Sequence, residues 1–514
     1  MTPPAPPAIA PASNRASAGG GRWIRWSAFG LILALFLMRN LPWHLDNYDQ
    51  AKHAYSSYEM IERGAWWFQH TPYQDTATKP PFSGWISAGL YRLTGSWPWS
   101  WRFPSLIPAL LLMIALYREG ERASPGIGGA LAAGAFALNS FSIRLAALVR
   151  TDMLLAGIIF AAGWMIYRRL RDDGSWSRRD QWMLFGLLSM GLLTKGPVVY
   201  AFLLPGLALM GRRSRPIAGG AWPWLLSFAL LLVWAAAGIQ FAPGFLDDVI
   251  LKEFGGRFQA GAHAVHSSKP VYYYLGHLFS RVSPWTPIFF ALLFTRSSRD
   301  AIRVRPHVRW LFMWIAGGFV VMSLVPSKRA DRIFPLLPPL ALMIATLASH
   351  LPRERFPSAR QSRWIRAALL VAALIHVGYA GQQVYDAHRH DAGALVRFGE
   401  HARRWTAERG LTMRIVRATN EGLLMYTGQT EFLSLDEAIS QWKSDRVDAL
   451  MLESDPAVAP AFEEGVTVLE SAPAQRNRAA YRLIVRPDRV PPDPPRADAA
   501  RYDPAALSAQ RRVP

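Results

Sequence analysis

Long apolar segments recur along most of this chain, and they constrain its fold more than any other feature of the sequence. A helix crosses the hydrocarbon core of a bilayer with about 20 predominantly apolar residues. Segments that approach this length lie at residues 26–42, 103–117, 127–138, 153–167, 182–193, 198–210, 222–239, 272–294, 310–324, 333–348 and 365–381. They predict an all-α polytopic membrane protein with about 11 transmembrane helices.

Basic residues lie between the apolar segments and concentrate in every second loop. These loops contain Arg118 and Arg122, then Arg168, Arg169, Arg171, Arg178 and Arg179, then Arg212, Arg213 and Arg215, then Arg296, Arg299, Arg303, Arg305 and Arg309, and finally Arg353, Arg355, Arg360, Arg363 and Arg366. Loops with an excess of Lys and Arg stay in the cytoplasm. Residues 45–101, 247–270 and the part after residue 382 are therefore predicted to lie outside.

The net charge of +21 could also indicate a protein that binds nucleic acid, because Lys and Arg neutralise phosphates. The basic residues form no single basic domain, however, and their distribution is that of a membrane protein. We therefore predict a multi-pass protein of a bacterial inner membrane, with its N terminus in the cytoplasm. Its predicted partners include membrane lipids and exclude nucleic acid.

Composition limits the chemistry and the share of the chain in the membrane. The chain has no Cys, which excludes disulfides, thiolate metal sites and a cysteine nucleophile. Hydrophobic residues make up 51% of the chain, yet its mean hydropathy is only +0.09. A sizeable polar part must therefore accompany the membrane helices.

This polar part follows the last apolar segment. Short β-branched runs at 413–418, 449–452, 466–469 and 481–485 alternate with helical patterns at 436–443 and 459–464, which is typical of a small α/β domain. The sequence thus predicts four parts. They are a disordered cytoplasmic tail (1–21), a transmembrane domain (22–382), a small α/β periplasmic domain (383–486) and a second disordered tail (487–514).

The first external loop, residues 43–102, contains several candidate functional residues. Asp46 and Asp49 precede an amphipathic helix that is predicted at 51–62. Asp49 suits either capping of that helix or catalysis, and the two roles are compatible. Lys79 is followed by two prolines that stiffen the backbone, which suits a phosphate at the interface. An ordinary snorkelling lysine is the alternative.

Other charged residues lie at the external ends of predicted spans. Arg150 and Asp152 precede one span, where a charge usually has a partner or a task; a mutual ion pair or a helix cap is the alternative. Lys195 lies at the tip of a helical hairpin, where turn formation alone would explain its Gly-Pro neighbours. His263 and His266 are a weak metal signal without an evident acidic ligand, so we predict neither a metal nor a cofactor.

A collinear set of motifs extends over residues 43–345. Its members are Asp49 with Lys52, Met60 with Gly64, Lys79-Pro80-Pro81, Arg102-Phe103-Pro104-Ser105, Thr151-Asp152-Met153, Thr194-Lys195-Gly196-Pro197, Glu253 to Phe258, Pro284-Trp285, Ser327-Lys328-Arg329 and Pro335-Leu336-Leu337-Pro338. In this order the motifs resemble the bacterial aminoarabinose (lipid A) transferases and the wider protein O-mannosyltransferase-like GT-C glycosyltransferases. The resemblance implies a GT-C fold and a transferase whose donor is a polyprenyl-phosphate sugar.

Three residues depart from the pattern of those families. Gln50 replaces the usual acidic second member of an Asp-Glu pair, so the role of that residue is absent or changed. Thr78 replaces the Glu that often precedes Lys-Pro-Pro, which removes a possible metal ligand. Arg332 lies where many aminoarabinose transferases have a Tyr near the carrier phosphate. These departures weaken the lipid A assignment more than they weaken the enzyme class.

The resemblance and the charge pattern together give a hypothesis for the reaction. The sugar moves by a single inverting displacement at its anomeric carbon onto a lipid, glycan or protein acceptor. Asp49 is the candidate catalytic base, and Asp152 is the second catalytic candidate. The donor phosphate would be stabilised by cations. The candidate residues for this role are Lys52, Lys79, Arg257 and Lys328.

Two other functions fit parts of the sequence. Transfer to Ser or Thr of a protein is the alternative within the enzyme class. A lipid-linked sugar flippase is the alternative from another class, and transporters of that kind bind their substrates near the bilayer midplane and often contain inverted repeats. Here the charges of interest lie at one membrane face, in external loops, and the sequence shows no repeat. This arrangement favours the enzyme.

Overall fold

The computed structural model describes residues 30–38, 45, 48–211, 218–257, 268–351, 359–389, 393–454, 462, 464–471 and 480–490. Several sequence predictions fall outside these residues. They are the tail at 1–21, the tail at 487–514 beyond residue 490, most of the helical pattern at 459–464, and Asp46, His263 and His266.

Helices account for most of the described chain. In chain order the α-helices are α1 (30–38), α2 (Tyr48–Glu62), α3 (Phe82–Thr94), α4 (Trp97–Ala123), α5 (Gly128–Ala137), α6 (Ser140–Leu145), α7 (Asp152–Arg171), α8 (Arg178–Lys195), α9 (Val198–Leu209), α10 (Trp222–Phe241), α11 (Tyr273–Arg281), α12 (Trp285–Leu293), α13 (Arg296–Val304), α14 (Pro306–Leu324), α15 (Leu337–Ala348), α16 (Ala359–Arg389), α17 (Ala394–Glu408), α18 (Gly422–Thr427) and α19 (Leu435–Lys443). The described residues also form a π-helical segment (Leu246–Phe254) and 3-10 segments (Gly255–Arg257, Ala330–Leu336 and Pro487–Arg489).

Among the described residues, six helical segments are long and apolar enough to cross a membrane. They are Trp97–Ala123, Asp152–Arg171, Trp222–Phe241, Pro306–Leu324, Ala330–Ala348 and Arg363–Arg389. Helices α5 and α9 are apolar but shorter. The span that was predicted at 272–294 is instead two helices, α11 and α12. Pro284 precedes α12, and a proline cannot donate the backbone hydrogen bond that a continuous helix needs there. The total of eleven helices stays a prediction.

Two glycines allow α9 and α14 to cross at very short range. A Cβ atom on Gly206 would lie 2.7 Å from the Cα of Trp314, and one on Gly317 would lie 2.8 Å from the backbone nitrogen of Gly206. Small residues at a crossing let two helix backbones approach, which membrane proteins use where no hydrophobic effect drives the helices together. The loop that precedes residue 330 directly follows α14, so this crossing fixes the helix from which the loop emerges.

The C-terminal part forms a four-stranded mixed sheet. Its strands are β1 (Met413–Ile415), β2 (Ala449–Glu453), β3 (Val466–Glu470) and β4 (Tyr481–Val485), in the order β1-β2-β4-β3. β1 and β2 are parallel, whereas β4 is antiparallel to both β2 and β3. The strands coincide with the four β-branched runs of the sequence. A capping box of Ser434 with Glu437 begins α19, close to the helical pattern at 436–443.

The sheet and its helices pack against α2. Tyr55 and Tyr58 of α2 are buried in one apolar cluster with Tyr426 and other residues of the C-terminal part. The hydroxyl of Tyr55 donates a hydrogen bond to the backbone carbonyl of Thr430, and the backbone N–H of Leu45 donates one to the Tyr426 hydroxyl across 2.7 Å. The C-terminal part therefore holds the helix on which the candidate base lies.

Candidate active site

Helix α2 carries the candidate base in its first turn. Asp49 is the second residue of the helix, so its carboxylate lies at the positive end of the helix dipole. Its Oδ1 atom lies 3.2 Å from Nζ of Lys52, one turn further along the helix. Its Oδ2 atom accepts a hydrogen bond from Nη2 of Arg329 across 2.7 Å. Both carboxylate oxygens of Asp49 therefore contact a cation.

The second candidate carboxylate lies where two antiparallel helices meet. Asp152 is the first residue of α7, and Lys195 is the last residue of α8. Nζ of Lys195 donates a hydrogen bond to Oδ1 of Asp152 across 2.5 Å. Each charge also complements the dipole of its own helix end. Asp152 is only 3% exposed, so this contact satisfies one oxygen of a buried carboxylate.

Arg150 links Asp152 to the rest of the site. Its Nε atom lies 3.1 Å from Oδ2 of Asp152, which is the mutual ion pair that the sequence left open.

The turn before α7 is held by hydrogen bonds from two other helices. Ser105 donates through its hydroxyl to the carbonyls of Leu148 and Arg150, across 2.7 and 3.1 Å. The Oε1 atom of Gln50 accepts from the backbone N–H of Val149 across 2.9 Å, which gives this departure from the family pattern a structural role.

Asp331 closes a continuous chain of alternating charges. Its Oδ2 atom lies 2.5 Å from Nη2 of Arg150 and 3.3 Å from Nη2 of Arg329. Neighbouring members of the chain are in contact throughout. Its order is Lys52, Asp49, Arg329, Asp331, Arg150, Asp152 and Lys195. The candidate carboxylates are thus joined through two guanidinium groups, and the cations of the chain exceed its carboxylates by one.

The surrounding charges control the ionisation of Asp49. Burial by itself raises the pKa of this carboxyl, because a charged group loses hydration. The hydrogen bond from Arg329 and the positive charges of Lys52, Arg329 and Arg150 outweigh this effect and hold the pKa of Asp49 well below its usual value. Asp49 is therefore ionised at neutral pH, and each of its two oxygens contacts a cation.

His53 lies one residue beyond Lys52 on α2 and responds to the charges on both sides of the site. Burial lowers the pKa of His53 well below its usual value, and the positive charges of Lys52, Arg150 and Lys79 lower it further. The negative charge of Asp49 acts in the opposite direction on the same imidazole. His53 is therefore neutral at pH 7, and Asp49 and Lys79 are both close enough to influence it.

Lys79 is ion-paired with Glu253 of the π-helical segment. Its Nζ atom also donates a hydrogen bond to Oγ1 of Thr78 across 3.3 Å, so the residue that replaces the family's Glu contacts the lysine. The π-helical segment packs on the tip of the α8–α9 hairpin. Gly196 has a φ of +73°, and a Cβ atom there would lie 2.6 Å from the ring of Phe254. Lys79 and Lys195 are therefore bordered by the same segment.

The remaining candidates lie around the loop before residue 330 and in the π-helical region. Lys328 is buried, and its Nζ atom donates to the backbone carbonyl of Lys269 across 2.9 Å, so it pins that loop. Arg332 donates through Nη1 to the carbonyl of Ser327 across 2.6 Å. Arg257 ends the 3-10 segment Gly255–Arg257, and its side chain is outside what the structure describes. In the described part of the chain, no cluster of three or more His, Asp or Glu could hold a metal ion.

Sequence reasoning missed three residues that contact or influence the candidate base: Arg329, Asp331 and His53. Arg329 belongs to the Ser327-Lys328-Arg329 motif, in which the sequence predicts Lys328 as the phosphate ligand. Arg329 contacts Asp49, and Asp331 contacts Arg150, across long separations in sequence that hydropathy does not reveal. His53 could have been found from the sequence, because it directly follows the candidate phosphate ligand Lys52.

Comparisons with known proteins agree with the motif resemblance. A family described as dolichyl-phosphate-mannose-protein mannosyltransferase matches residues 78–239. The undecaprenyl phosphate-α-4-amino-4-deoxy-L-arabinose arabinosyl transferase of Serratia proteamaculans is 26% identical over 62% of this chain and 58% of its own length. A second transferase of that name, from Proteus mirabilis, is 25% identical over 71% of this chain. The chain spans 66% of the Proteus protein, so it covers less than two thirds of either relative.

The fold is similar to that of a bacterial protein of known structure. The crystal structure of ArnT from Cupriavidus metallidurans bound to undecaprenyl phosphate has a TM-score of 0.66, covering 90% of this chain and 98% of that one, at 17% sequence identity. The same protein in its apo state has a TM-score of 0.65. The chain is therefore a multi-pass membrane protein with an ArnT-like GT-C fold, and the resemblance drawn from its motifs is confirmed.

Proposed function

We propose that this chain is a membrane glycosyltransferase that moves 4-amino-4-deoxy-L-arabinose from undecaprenyl phosphate to lipid A or a related cell-envelope acceptor. The names of the Serratia and Proteus relatives support the donor. The order of motifs supports a lipid A-type acceptor. The fold supports the enzyme class, because the solved transferase with the same architecture was crystallised with undecaprenyl phosphate.

The observation that carries the proposal is the chain of charges from Lys52 to Lys195. It brings Asp49 and Asp152 into one connected group with four cationic side chains. The helix ends and loops that meet there are those that the distribution of arginines places on one side of the membrane. Such a group can bind a phosphate and keep a carboxylate ionised next to it, which are the two requirements of transfer from a lipid phosphate.

The donor phosphate would bind to cations whose ion pairs with carboxylates it can replace. Lys79 is the first candidate, since its ion pair with Glu253 can be replaced by a phosphate oxygen. Lys52 is the second, because its contact with Asp49 is long and its side chain is about a quarter exposed. Arg257 remains a candidate through its place in the π-helical region. Lys328, which already donates to a backbone carbonyl, is assigned to the support of the loop.

The transfer itself is a single inverting displacement. The acceptor oxygen bonds to the anomeric carbon while the bond from that carbon to the phosphate oxygen breaks, and the electron pair of that bond stays on the phosphate. If the acceptor is a hydroxyl group, its proton passes to Asp49. If the acceptor is a phosphate, no proton needs to be taken, and Asp49 orients the acceptor and supports the positive charge on the sugar ring. Asp152 would support this arrangement through Arg150.

The orientation and the domain division complete the proposal. The N terminus lies in the cytoplasm and the site faces the periplasm in this proposal, which the arginine-rich loops support. Residues 22–382 form the catalytic transmembrane domain, and residues 383–486 form a periplasmic α/β domain. That domain supports α2 through the contact of Tyr55 with Thr430. Its placement next to the helix of Asp49 is consistent with a role in admitting the acceptor.

A reconstituted transfer assay tests the proposal. Proteoliposomes would receive a panel of radiolabelled undecaprenyl-phosphate sugars with lipid A as the acceptor. We expect transfer of aminoarabinose, a loss of about 10²- to 10⁴-fold in kcat for Asp49→Asn, and a raised KM for the donor in Lys79→Ala. Lys252→Ala removes a lysine whose side chain is 79% exposed and provides the matched control. Undiminished transfer by both site variants would exclude these roles, and inhibition by a chelator that a divalent ion reverses would require a metal.

Transfer to a protein is the second candidate, and two observations favour it. The matched family is described by a protein mannosyltransferase activity. Arg332 replaces the Tyr that many aminoarabinose transferases have near the carrier phosphate. The same proteoliposomes separate the candidates when they are offered a Ser/Thr-containing peptide beside lipid A. Label in the peptide alone would support the protein acceptor.

A further inference from the structure

The loop that carries Arg329 is held in place by contacts that do not involve the candidate base. It precedes the 3-10 segment Ala330–Leu336, in a loop whose other residues are anchored to the segment at 268–269. Lys328 donates to the carbonyl of Lys269 across 2.9 Å, and the backbone N–H of Lys269 donates to the carbonyl of Pro326 across 3.2 Å. The backbone of Arg329 is therefore fixed by contacts that do not involve Asp49.

The guanidinium group of Arg329 is fixed as well. Its Nη2 atom contacts Oδ2 of Asp49 at 2.7 Å and Oδ2 of Asp331 at 3.3 Å. Asp331 is in turn held by Arg150 across 2.5 Å. A planar guanidinium group that bridges two carboxylates has little freedom to rotate. It therefore defines the position of Oδ2 of Asp49.

The two oxygens of Asp49 are left in different situations. Oδ2 accepts a short hydrogen bond from a rigid group, whereas Oδ1 has a longer contact of 3.2 Å with Nζ of Lys52. Lys52 has a flexible four-carbon side chain and can follow a phosphate. Once it does so, Oδ1 is the oxygen that can receive a proton or orient an acceptor.

We propose that Arg329 is a positioning residue for transfer, which holds Oδ2 of Asp49 so that Oδ1 faces the reacting acceptor. The proposal rests on the role of Asp49 in the proposed function. Arg329 is not expected to touch the substrate. Arg329 acts on transfer by holding Asp49, and Asp331 in turn holds the guanidinium group of Arg329.

Loss of Arg329 would change the pH at which Asp49 ionises. The groups that face Asp49 are Lys52 and His53 of α2, Arg150 of the turn before α7, and Arg329 with its partner Asp331. Without Arg329 the burial of Asp49 is opposed only by Lys52 and Arg150, so the pKa of Asp49 rises. The ionised form is then lost at a higher pH, and activity falls with it on the acid side.

The test is the pH profile of kcat between about pH 4.5 and pH 8 for Arg329→Gln and Arg329→Lys in the same proteoliposomes. A pKa that moves from below the usual aspartate value of about 3.9 to above it brings an acid limb into this range. We expect Arg329→Gln to show this limb, with a kcat at least about twofold lower at the acid end of the range and partial recovery toward pH 8. Arg329→Lys should restore much of the wild-type profile, and Lys252→Gln should match the wild type.

The outcomes separate the inference from the function on which it rests. A wild-type protein without transfer contradicts the proposed function. Transfer by the wild type, with a uniform loss in Arg329→Gln at every pH and no rescue by Lys, contradicts the positioning role. If Arg329→Gln does not fold, Asp331→Asn provides a second variant, because it frees the guanidinium group while keeping Arg329. We expect a lower kcat in this variant without an acid limb, because Arg329 still lowers the pKa of Asp49 but is no longer held by Asp331, and an unchanged kcat would again contradict the inference.

Discussion

Lys79 forms an ion pair with Glu253, a residue 174 positions further along the chain. The lysine that the sequence predicts as a phosphate ligand is thus matched with a carboxylate from the π-helical segment. The lysine and the carboxylate are 18% and 12% exposed, so neither charge is fully hydrated. In the proposed function, a donor phosphate at Lys79 would compete with this carboxylate for the same ammonium group.

Glu253→Gln is expected to lower the KM for the undecaprenyl-phosphate donor about three- to tenfold, because the competing charge is gone while the shape of the side chain is kept. The measurement is initial transfer rate against donor concentration in proteoliposomes. Asp247→Asn provides the matched control, since this exposed carboxylate lies in the same segment. A KM that rises in Glu253→Gln would indicate instead that the carboxylate is needed to hold Lys79 in position.

Asp152 and Lys195 form a buried pair, and single substitutions should cost more than the double one. Removal of one partner leaves an uncompensated charge in a poorly hydrated place, which costs about 3–5 kcal/mol. We therefore expect Asp152→Asn and Lys195→Met each to lower the free energy of unfolding in detergent. The double variant should regain a large part of this loss. Additive losses would show that the two charges act independently.

Gln50 connects α2 to the turn that carries Arg150, and its acceptor oxygen is the group that matters. Gln50→Leu would leave the buried backbone N–H of Val149 without its partner, which costs about 1–3 kcal/mol. Gln50→Glu keeps an acceptor at the same position and is the matched control. We expect a lower thermal midpoint for the Leu variant than for the Glu variant. Equal midpoints would mean that the hydrogen bond is replaced by water.

Much of the fold could be predicted because hydropathy and β-branched runs are local signals. The four predicted β runs coincide with strands, and most apolar segments coincide with helices. The prediction of one span at 272–294 was wrong, because the helix is interrupted at Pro284 although the apolar run is continuous. The beginning of α2 at Tyr48 likewise places Asp49 inside the first turn, not before the helix.

The site could be predicted only in part. Asp49, Asp152 and Lys79 stood out because charge next to a membrane span is rare and because they belong to motifs. Arg329 and Asp331 did not stand out, because their partners lie on other loops and the contact depends on tertiary packing. The preference for Lys328 over Arg329 shows the limit. Adjacent cations in one motif look equivalent in sequence, whereas one donates to a backbone carbonyl and the other contacts Asp49.

The segment that follows α2 contains a pH-dependent contact outside the membrane helices. Glu59 of α2 is only 1% exposed, and its Oε2 atom accepts from the backbone N–H of His70 across 2.6 Å. Its Oε1 atom lies 2.8 Å from Nδ1 of the same histidine. Arg63 approaches the carboxylate as well, at 3.7 Å. These contacts tie the segment after α2 back onto the helix that carries Asp49.

Stability of this loop should fall as the pH rises. The hydrogen bond to Glu59 raises the pKa of His70 above its usual value of about 6.5, and burial opposes this only in part. The stabilisation is fully present below that usual value, where His70 is charged in both folded and unfolded states, and it is lost as the pH rises through the higher folded-state pKa. We expect faster proteolysis within residues 63–79 at pH 8 than at pH 6 in the wild type. His70→Gln keeps a donor but cannot titrate, so its cleavage rate, corrected for the protease's own pH dependence, should be the same at both values; an identical pH dependence in both proteins would contradict the role of His70.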